Sequence, residues 1–154
     1  MNNTLAAFPW AVVLYHLFGW LAIILLHIIF VGLAPRIDGE IVEAALPWKK
    51  RMVDDGNNLF QFGVWNALLL AAAHFINGWH FVSWIAFIIS AIFAVAAIIG
   101  AVPYTISCLA EVFIYYHKDP KAWLLSVLSI IAEWVTAVPL VYAAYYLLTN
   151  YALK

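Results

Sequence analysis

Three ionisable side chains lie inside strongly apolar stretches of this sequence: His16, His27 and Glu133. Ionisable groups are costly inside a bilayer and usually face a cavity, a partner or a cofactor. Imidazole can ligate haem iron or copper, and a carboxyl group at mid-depth can take up and release a proton. The residue types therefore indicate two kinds of chemistry, metal or haem ligation by histidine and proton relay by Glu133.

His16 and His27 are predicted to project from one face of the first helix. Their spacing of eleven residues makes three turns plus about 20°, which places them about 16.5 Å apart along the axis. Gly19 lies one turn after His16, where a flat group or another helix can approach closely. This pattern is typical of a b-type haem site that includes His16, His27 and Gly19. The alternative is hydrogen bonding between helices.

A haem held by two histidines needs a second ligand at the depth of His16. The candidates are His74, near the end of the second apolar stretch, and His80, at the start of the third. His27 has no comparable counterpart, so one haem is favoured over two. Copper is the alternative, with His16, His74 and His80 as the ligands, because imidazole also suits that metal.

Glu133 is predicted to face the interior of a helix bundle. It shares a helical face with Ser126, Ser129, Thr136 and Ala137, whereas Ile131 and Trp134 point elsewhere. Charge is costly in such a place, so the carboxyl group is expected to be neutral unless His27 or a metal supplies positive charge. The alternative role is a neutral carboxylic acid that only locks helix packing.

Glu111 is a second candidate for proton relay. It lies on a polar stripe with Tyr104, Ser107, Cys108 and Tyr115. This stripe would extend a proton path from the cytoplasm towards Glu133. The alternative is an ordinary carboxylate at the membrane interface.

Composition assigns these residues to a membrane protein. The chain has 154 residues, of which 68% are hydrophobic and 10% charged, and its formal net charge is −1. Soluble domains contain about 45–50% apolar and about 25% charged residues. A soluble domain is therefore excluded, and no basic field for nucleic acid is present.

The elements that position these residues are predicted to be four transmembrane helices in one all-α polytopic domain, residues 1–154. Apolar stretches of about 20 residues can each cross the bilayer. The spans are expected at about 9–34, 58–76, 80–103 and 121–148, with a cytoplasmic loop at 36–57. Helical character continues past Pro103 towards residue 117, which predicts a kink and a helical extension on the cytoplasmic side. A short re-entrant segment is the alternative.

The basic residues predict the orientation of the chain. Six of the seven lie in the two connections after the first and third spans, and Lys154 is the seventh. Because cytoplasmic loops are enriched in Lys and Arg, both termini are expected on the non-cytoplasmic side of an integral membrane protein.

The stretch His16-Leu17-Phe18-Gly19, leading to Pro35-Arg36, resembles the first helix of CopD-type membrane proteins and of the four-helix HemJ-type proteins. The resemblance covers about 21 of the 154 residues. It implies a four-helix bundle tied to copper or haem, with His16 as the transferable ligand. HemJ-type proteins carry a functional lysine in the third helix, and this chain has no Lys or Arg in its third span, so protoporphyrinogen chemistry is not carried over.

The leading functional hypothesis is a small membrane subunit of a redox or respiratory-type complex, which binds haem b or copper and assists electron transfer. The alternatives are a proton-coupled transporter or channel that uses Glu133, and an accessory subunit that only packs against other helices. Motifs of an independent enzyme are not evident in the sequence. The predicted partners are membrane lipids and either other membrane subunits or further copies of the chain.

Overall fold

Helices make up nearly all of the residues that the computed structural model describes, which are 7–76, 79–115 and 118–154. The four long helices are α1 (Trp10–Leu33), α2 (Leu46–Phe75), α3 (His80–Tyr115) and α4 (Pro120–Leu147). A π-helical segment, Leu148–Ala152, continues α4. The predicted all-α polytopic bundle is confirmed.

Three of the described helices are long and apolar enough to cross a membrane: α1, α3, and α4 together with its π-helical extension. Their outward faces expose many large side chains, among them Phe18, Ile99 and Tyr145 at more than 60% of their surface. Apolar surface on this scale suits contact with lipid rather than with water. The chain is an integral membrane protein, and the orientation of its termini and its protein partners stay predictions.

The second helix begins much earlier than the sequence predicted. Residues 46–57 were expected to belong to a cytoplasmic loop, but α2 starts at Leu46. Pro47 lies in the first turn, where its missing N–H costs no hydrogen bond. The predicted loop 36–57 is therefore wrong beyond residue 45, and the charged residues that suggested it are helical.

α2 runs antiparallel to α1 along nearly its whole length. Met52 packs with Phe30 near one end, and Leu70 packs with Val12 near the other. α2 thus covers the same thickness as α1, although it is not among the three helices apolar enough to qualify as a span. Its composition differs because its N-terminal part carries exposed polar residues, among them Lys50, Asp54 and Gln61, in addition to the buried Asp55 and Asn66.

A short β-hairpin joins α1 to α2. Strand β1 (Arg36–Ile37) pairs antiparallel with β2 (Glu40–Ile41). Both turn residues, Asp38 and Gly39, have positive φ angles of 50° and 85°. Two-residue hairpin turns require this conformation, which explains the Asp-Gly pair at that point. The hairpin marks one end of the bundle, and the start of α1 and the end of α4 lie together at the other.

α3 continues through Pro103 to Tyr115 as one helix. The predicted helical extension is confirmed, and the re-entrant alternative is wrong for residues 104–115. Residues 116 and 117 lie outside the described part of the chain, and the kink at Pro103 stays a prediction.

The core contains three apolar clusters, spaced along the axis of the bundle. The hairpin-end cluster includes Phe30, Met52 and Leu125. The middle cluster consists of Ile23, Leu59 and Leu140. The termini-end cluster includes Val12, Leu70 and Leu147. α4 contributes to all three, and the polar residues considered below lie between them.

Candidate functional site

Glu133 lies near the middle of α4 and is buried, with 5% of its surface exposed. The predicted interior face is confirmed, because Ser126, Ser129, Thr136 and Ala137 are all buried with it. Trp134 and Ile131 are exposed on the opposite side, also as predicted. The helical period alone therefore aims this carboxyl group into the bundle.

The partner of Glu133 is Arg51 of α2. Arg51 Nη2 donates to Glu133 Oε1 at 2.7 Å, and Arg51 Nε donates to Oε2 at 2.8 Å. Two parallel charge-assisted bonds of this kind give the strongest and most directional pairing between a guanidinium and a carboxylate. The positive charge near Glu133 thus comes from Arg51, and not from His27 as one expectation had it.

A second carboxyl group belongs to the same site. Asp55 lies one turn after Arg51 on α2, and its Oδ1 is 3.4 Å from Arg51 Nε. Asp55 also interacts with the carboxyl group of Glu133. It is 2% exposed, and its Oδ2 has no hydrogen-bond partner among the described residues. One guanidinium therefore faces two buried carboxyl groups, neither of them exposed enough for water to stabilise its charge.

Residues of α3 close the site from the other side. The guanidinium carbon of Arg51 lies 5.1 Å from the centre of the Tyr104 ring, within the range of a cation–π contact. At Gly100 an added Cβ would be 3.3 Å from Glu133 Oε1 and 3.4 Å from Arg51 Nη2. The missing side chain of Gly100 thus leaves room for the ion pair. We call Arg51, Asp55, Tyr104 and Glu133 the charged cluster.

Buried hydroxyl groups lie in and around the charged cluster. The hydroxyls of Tyr104, Ser126 and Ser129 are buried and lack hydrogen-bond partners within the described residues. Tyr104 nevertheless lies close enough to Ser129 and to the Cys108 thiol to interact with them. Buried polar atoms in native proteins are ordinarily satisfied, so such a group of them marks a place for water or for mobile protons.

Glu111 does not join the charged cluster. It is eleven residues beyond Gly100 on α3, which corresponds to about 16 Å along the axis. Tyr104 and Cys108 lie between these two levels, and Cys108 interacts with Glu111. The proton path from Glu111 to Glu133 stays a prediction, with these two side chains as its intermediate positions.

His16 is buried against α2 rather than directed at another histidine. Its Nδ1 donates to the Val12 carbonyl at 2.9 Å, and its Nε2 is 3.3 Å from Asn66 Nδ2. Gly63 lets the imidazole approach, because a Cβ there would be 3.3 Å from the His16 ring. Both ring nitrogens of His16 therefore have partners in this arrangement.

His74 belongs to a different level of the bundle. Its Nδ1 is hydrogen-bonded to the Tyr151 hydroxyl at 3.0 Å, and Phe8 packs edge-on against its ring. His74 follows Asn66, the partner of His16, by eight residues on α2, about 12 Å along the axis. The structure therefore does not bring His16 and His74 together as two ligands of one haem.

The other residues of the predicted haem or copper site, His80, His27 and Gly19, do not form a ligand set with His16 either. His80 is exposed at the start of α3, and His27 is half-buried with Lys49 as its electrostatic neighbour. Gly19 packs against Leu59 and Pro139, so its close approach serves helix packing. On its other side Gly19 borders an apolar groove of about 440 Å³ between α1 and α4, which His16 does not line.

The described part of the chain contains no assembled metal site. Residues 7–76, 79–115 and 118–154 contain no group of three or more His, Cys, Asp or Glu placed to hold a metal ion. The predicted set His16, His74 and His80 is thus not gathered. Haem b and copper stay predictions, which absorption spectra of the oxidised and reduced protein, together with elemental analysis, test directly.

Comparison with protein-family models, with curated proteins and with solved structures finds no match for this chain. The resemblance to CopD-type and HemJ-type proteins therefore stays a prediction that rests on the first helix alone.

Proposed function

We propose that this chain is a small membrane protein that carries protons across the bilayer, with the charged cluster as its proton-binding site. The single observation that carries the proposal is the pairing of one guanidinium with two buried carboxyl groups, Asp55 and Glu133, in the middle of a membrane bundle. A purely structural ion pair needs one carboxylate. A second carboxyl group is explained if the site binds and releases a proton.

Charge balance explains how the cluster would bind a proton. With Arg51 and both carboxyl groups ionised, the net charge is −1, which is costly in a medium of low dielectric constant. One proton on either carboxyl group makes the cluster neutral. Both oxygens of Glu133 accept short bonds from Arg51, so the proton belongs on Asp55, whose Oδ2 has no hydrogen-bond partner among the described residues.

Arg51 is the partly exposed member of the ion-pair network. Its side chain is 36% exposed, whereas those of Asp55 and Glu133 are exposed by 3% and 6%. The cluster is therefore open on the Arg51 side and closed elsewhere by α3 and α4. Such one-sided access is what a carrier needs at one stage of its cycle, because a site open to both sides at once would leak.

Reconstitution in vesicles tests the proposal. Purified protein is placed in liposomes with a pH-sensitive dye inside, and a potassium gradient with valinomycin supplies the driving voltage. We expect the wild-type protein to acidify the lumen, and Asp55→Asn to abolish this flux because an amide cannot exchange a proton. Glu133→Gln should abolish it as well, because Asp55 is then the only counter-ion of Arg51 in the cluster and no longer takes up a proton.

Glu43→Gln is the matched control, since it removes one carboxylate from an exposed position near the hairpin. It should transport like the wild-type protein. Undiminished flux in Glu133→Gln, with correct folding shown by circular dichroism, would rule out the proposed site.

A further inference from the structure

A second buried polar site lies deeper in the bundle, at the contact between His16 and Asn66. His16 is 5% exposed and Asn66 is 2% exposed. His16 lies on α1 and Asn66 on α2, so their hydrogen bond joins two helices. Asn66 Oδ1 is buried and has no hydrogen-bond partner within the described ranges.

The hydrogen bonds assign the protonation state of His16. The Val12 carbonyl can only accept, so Nδ1 carries a proton and donates it at 2.9 Å. Nε2 then accepts from the Asn66 amide at 3.3 Å, and the imidazole is neutral. Nε2 is thus the nitrogen that can take up a proton. A turn of the Asn66 amide by about 180° would bring its carbonyl oxygen into place to accept the new N–H.

An apolar layer separates this pair from the charged cluster. Leu59 follows Asp55 by one turn on the buried face of α2, and Asn66 follows Leu59 by two turns. Ile23 of α1 and Leu140 of α4 pack with Leu59 to form the middle cluster. Leu59 and Leu140 are 0% exposed, so the layer is closed. Asp55 and Asn66 are about 16 Å apart along the helix axis, too far for direct proton transfer.

We infer that the His16–Asn66 pair is a second proton-binding site, and that Ile23, Leu59 and Leu140 form a hydrophobic gate between it and the charged cluster. The inference rests on the proposed function and adds a second binding site to the same proton path. Hydrophobic constrictions gate by excluding water, so a proton passes only when water enters this layer.

Proton binding at His16 needs only a local rearrangement. A proton adds to Nε2 and forms the imidazolium, while the Asn66 amide turns so that Oδ1 accepts the new N–H. The same proton later leaves from Nε2, and the amide returns. Nδ1 keeps its bond to the Val12 carbonyl throughout.

The groups that face His16 favour this role. α2 presents Gly63 and Asn66 to it, and its own helix presents the Val12 carbonyl. Within the described residues, no Asp, Glu, Lys or Arg forms a hydrogen bond or an ion pair with His16. The protonated ring therefore has no fixed counter-ion in the described part of the chain. Its charge is costly in this buried place, so the proton is held only briefly and is readily released.

Flux in vesicles gives the first test, with His16→Gln as the variant. Glutamine keeps hydrogen-bonding capacity and cannot become a cation. We expect it to lower the flux about a hundredfold, the usual effect of removing a positioned proton-transfer group. If Glu133→Gln abolishes flux and His16→Gln transports normally, the inference fails and the proposed function stands.

The gate is tested by Leu59→Asn, with Leu70→Asn as the matched control. Leu70 is a leucine on the same helix and is almost equally buried, but it belongs to the termini-end cluster. We expect Leu59→Asn to raise the passive proton leak and Leu70→Asn to leave it unchanged. Equal leaks in the two variants would show that the middle cluster is not a gate.

Nuclear magnetic resonance of the protein labelled with ¹⁵N-histidine tests the site without any flux measurement. We expect the His16 signals of the Nδ1–H tautomer at high pH and of the imidazolium at low pH. Asn66→Leu should abolish the second state, because no acceptor remains for the new N–H. An Nε2–H tautomer, or a neutral ring at every pH at which the protein stays folded, would overturn the inference.

Discussion

Removal of the negative charge of Glu133 alone should destabilise the protein more than removal of both charges of its ion pair. In Glu133→Gln, Arg51 loses an ionised partner and two short hydrogen bonds of 2.7 and 2.8 Å. Deleting one partner of a fully buried pair costs about 3–5 kcal/mol. Arg51 is 36% exposed, and Asp55 lies 3.4 Å away and can ionise to compensate. We therefore expect a loss of about 2 kcal/mol in the free energy of unfolding.

The double variant Arg51→Met, Glu133→Gln should recover most of this loss. Methionine fills the volume of the arginine stem and brings no charge, so nothing is left unpaired by the missing carboxylate. Replacement of buried ion pairs by apolar residues is often neutral or stabilising. The double-mutant cycle should accordingly give a coupling energy of about 2 kcal/mol between positions 51 and 133.

Unfolding by sodium dodecyl sulfate in mixed micelles measures these free energies, with circular dichroism as the signal. Glu43→Gln provides the control for loss of a carboxylate at an exposed position. Independent sites add to within about 0.5 kcal/mol. Additive effects of the two substitutions would therefore refute the ion pair as the link between α2 and α4.

Two further predictions concern packing around buried polar groups. Gly100→Leu should lower the free energy of unfolding by about 1–3 kcal/mol, because its side chain would enter the space of the charged cluster, whereas Gly32→Leu meets no atom within 4 Å and should be tolerated. Tyr151→Phe removes the hydroxyl that bonds to His74 and should cost about 1 kcal/mol, whereas Tyr145→Phe changes an exposed ring and should cost less. Thermal unfolding of the purified variants measures both differences, and equal melting temperatures within either pair would contradict the corresponding contact.

The helical period was sufficient to predict which way Glu133 faces, because the rule that residues three, four and seven apart share a face holds for any regular helix. The same rule could not identify its partner. Arg51 is 82 residues away in the sequence, and its charge suggested a solvated loop. The spacing of Arg51 and Asp55, one helical turn, was the available signal that this segment is helical.

The surroundings of the histidines could not be predicted from the sequence. Their types and spacing were consistent with haem ligation, yet the orientation of an imidazole depends on the helix packed against it. His16 faces Gly63 and Asn66 of α2, a contact that no periodicity within α1 can indicate. The Asp38-Gly39 pair, in contrast, is a local signal from which a two-residue hairpin turn could have been predicted. These residues were predicted only as part of the loop 36–57.

The ion pair between α2 and α4 has a consequence for how the chain enters the membrane during synthesis. Arg51 leaves the ribosome 82 residues before Glu133. An Arg at the centre of an inserting helix costs about 2.5–3.5 kcal/mol, and Arg51, in the second turn of α2, carries the part of this cost that applies near a helix end. α2 thus emerges with Asp55 as the nearby carboxyl group of Arg51 and without Glu133, which accepts the two short hydrogen bonds in the folded protein. Insertion of α2 is therefore expected to be completed only when α4 arrives, so that the last helix of the bundle decides whether the second one stays in the bilayer.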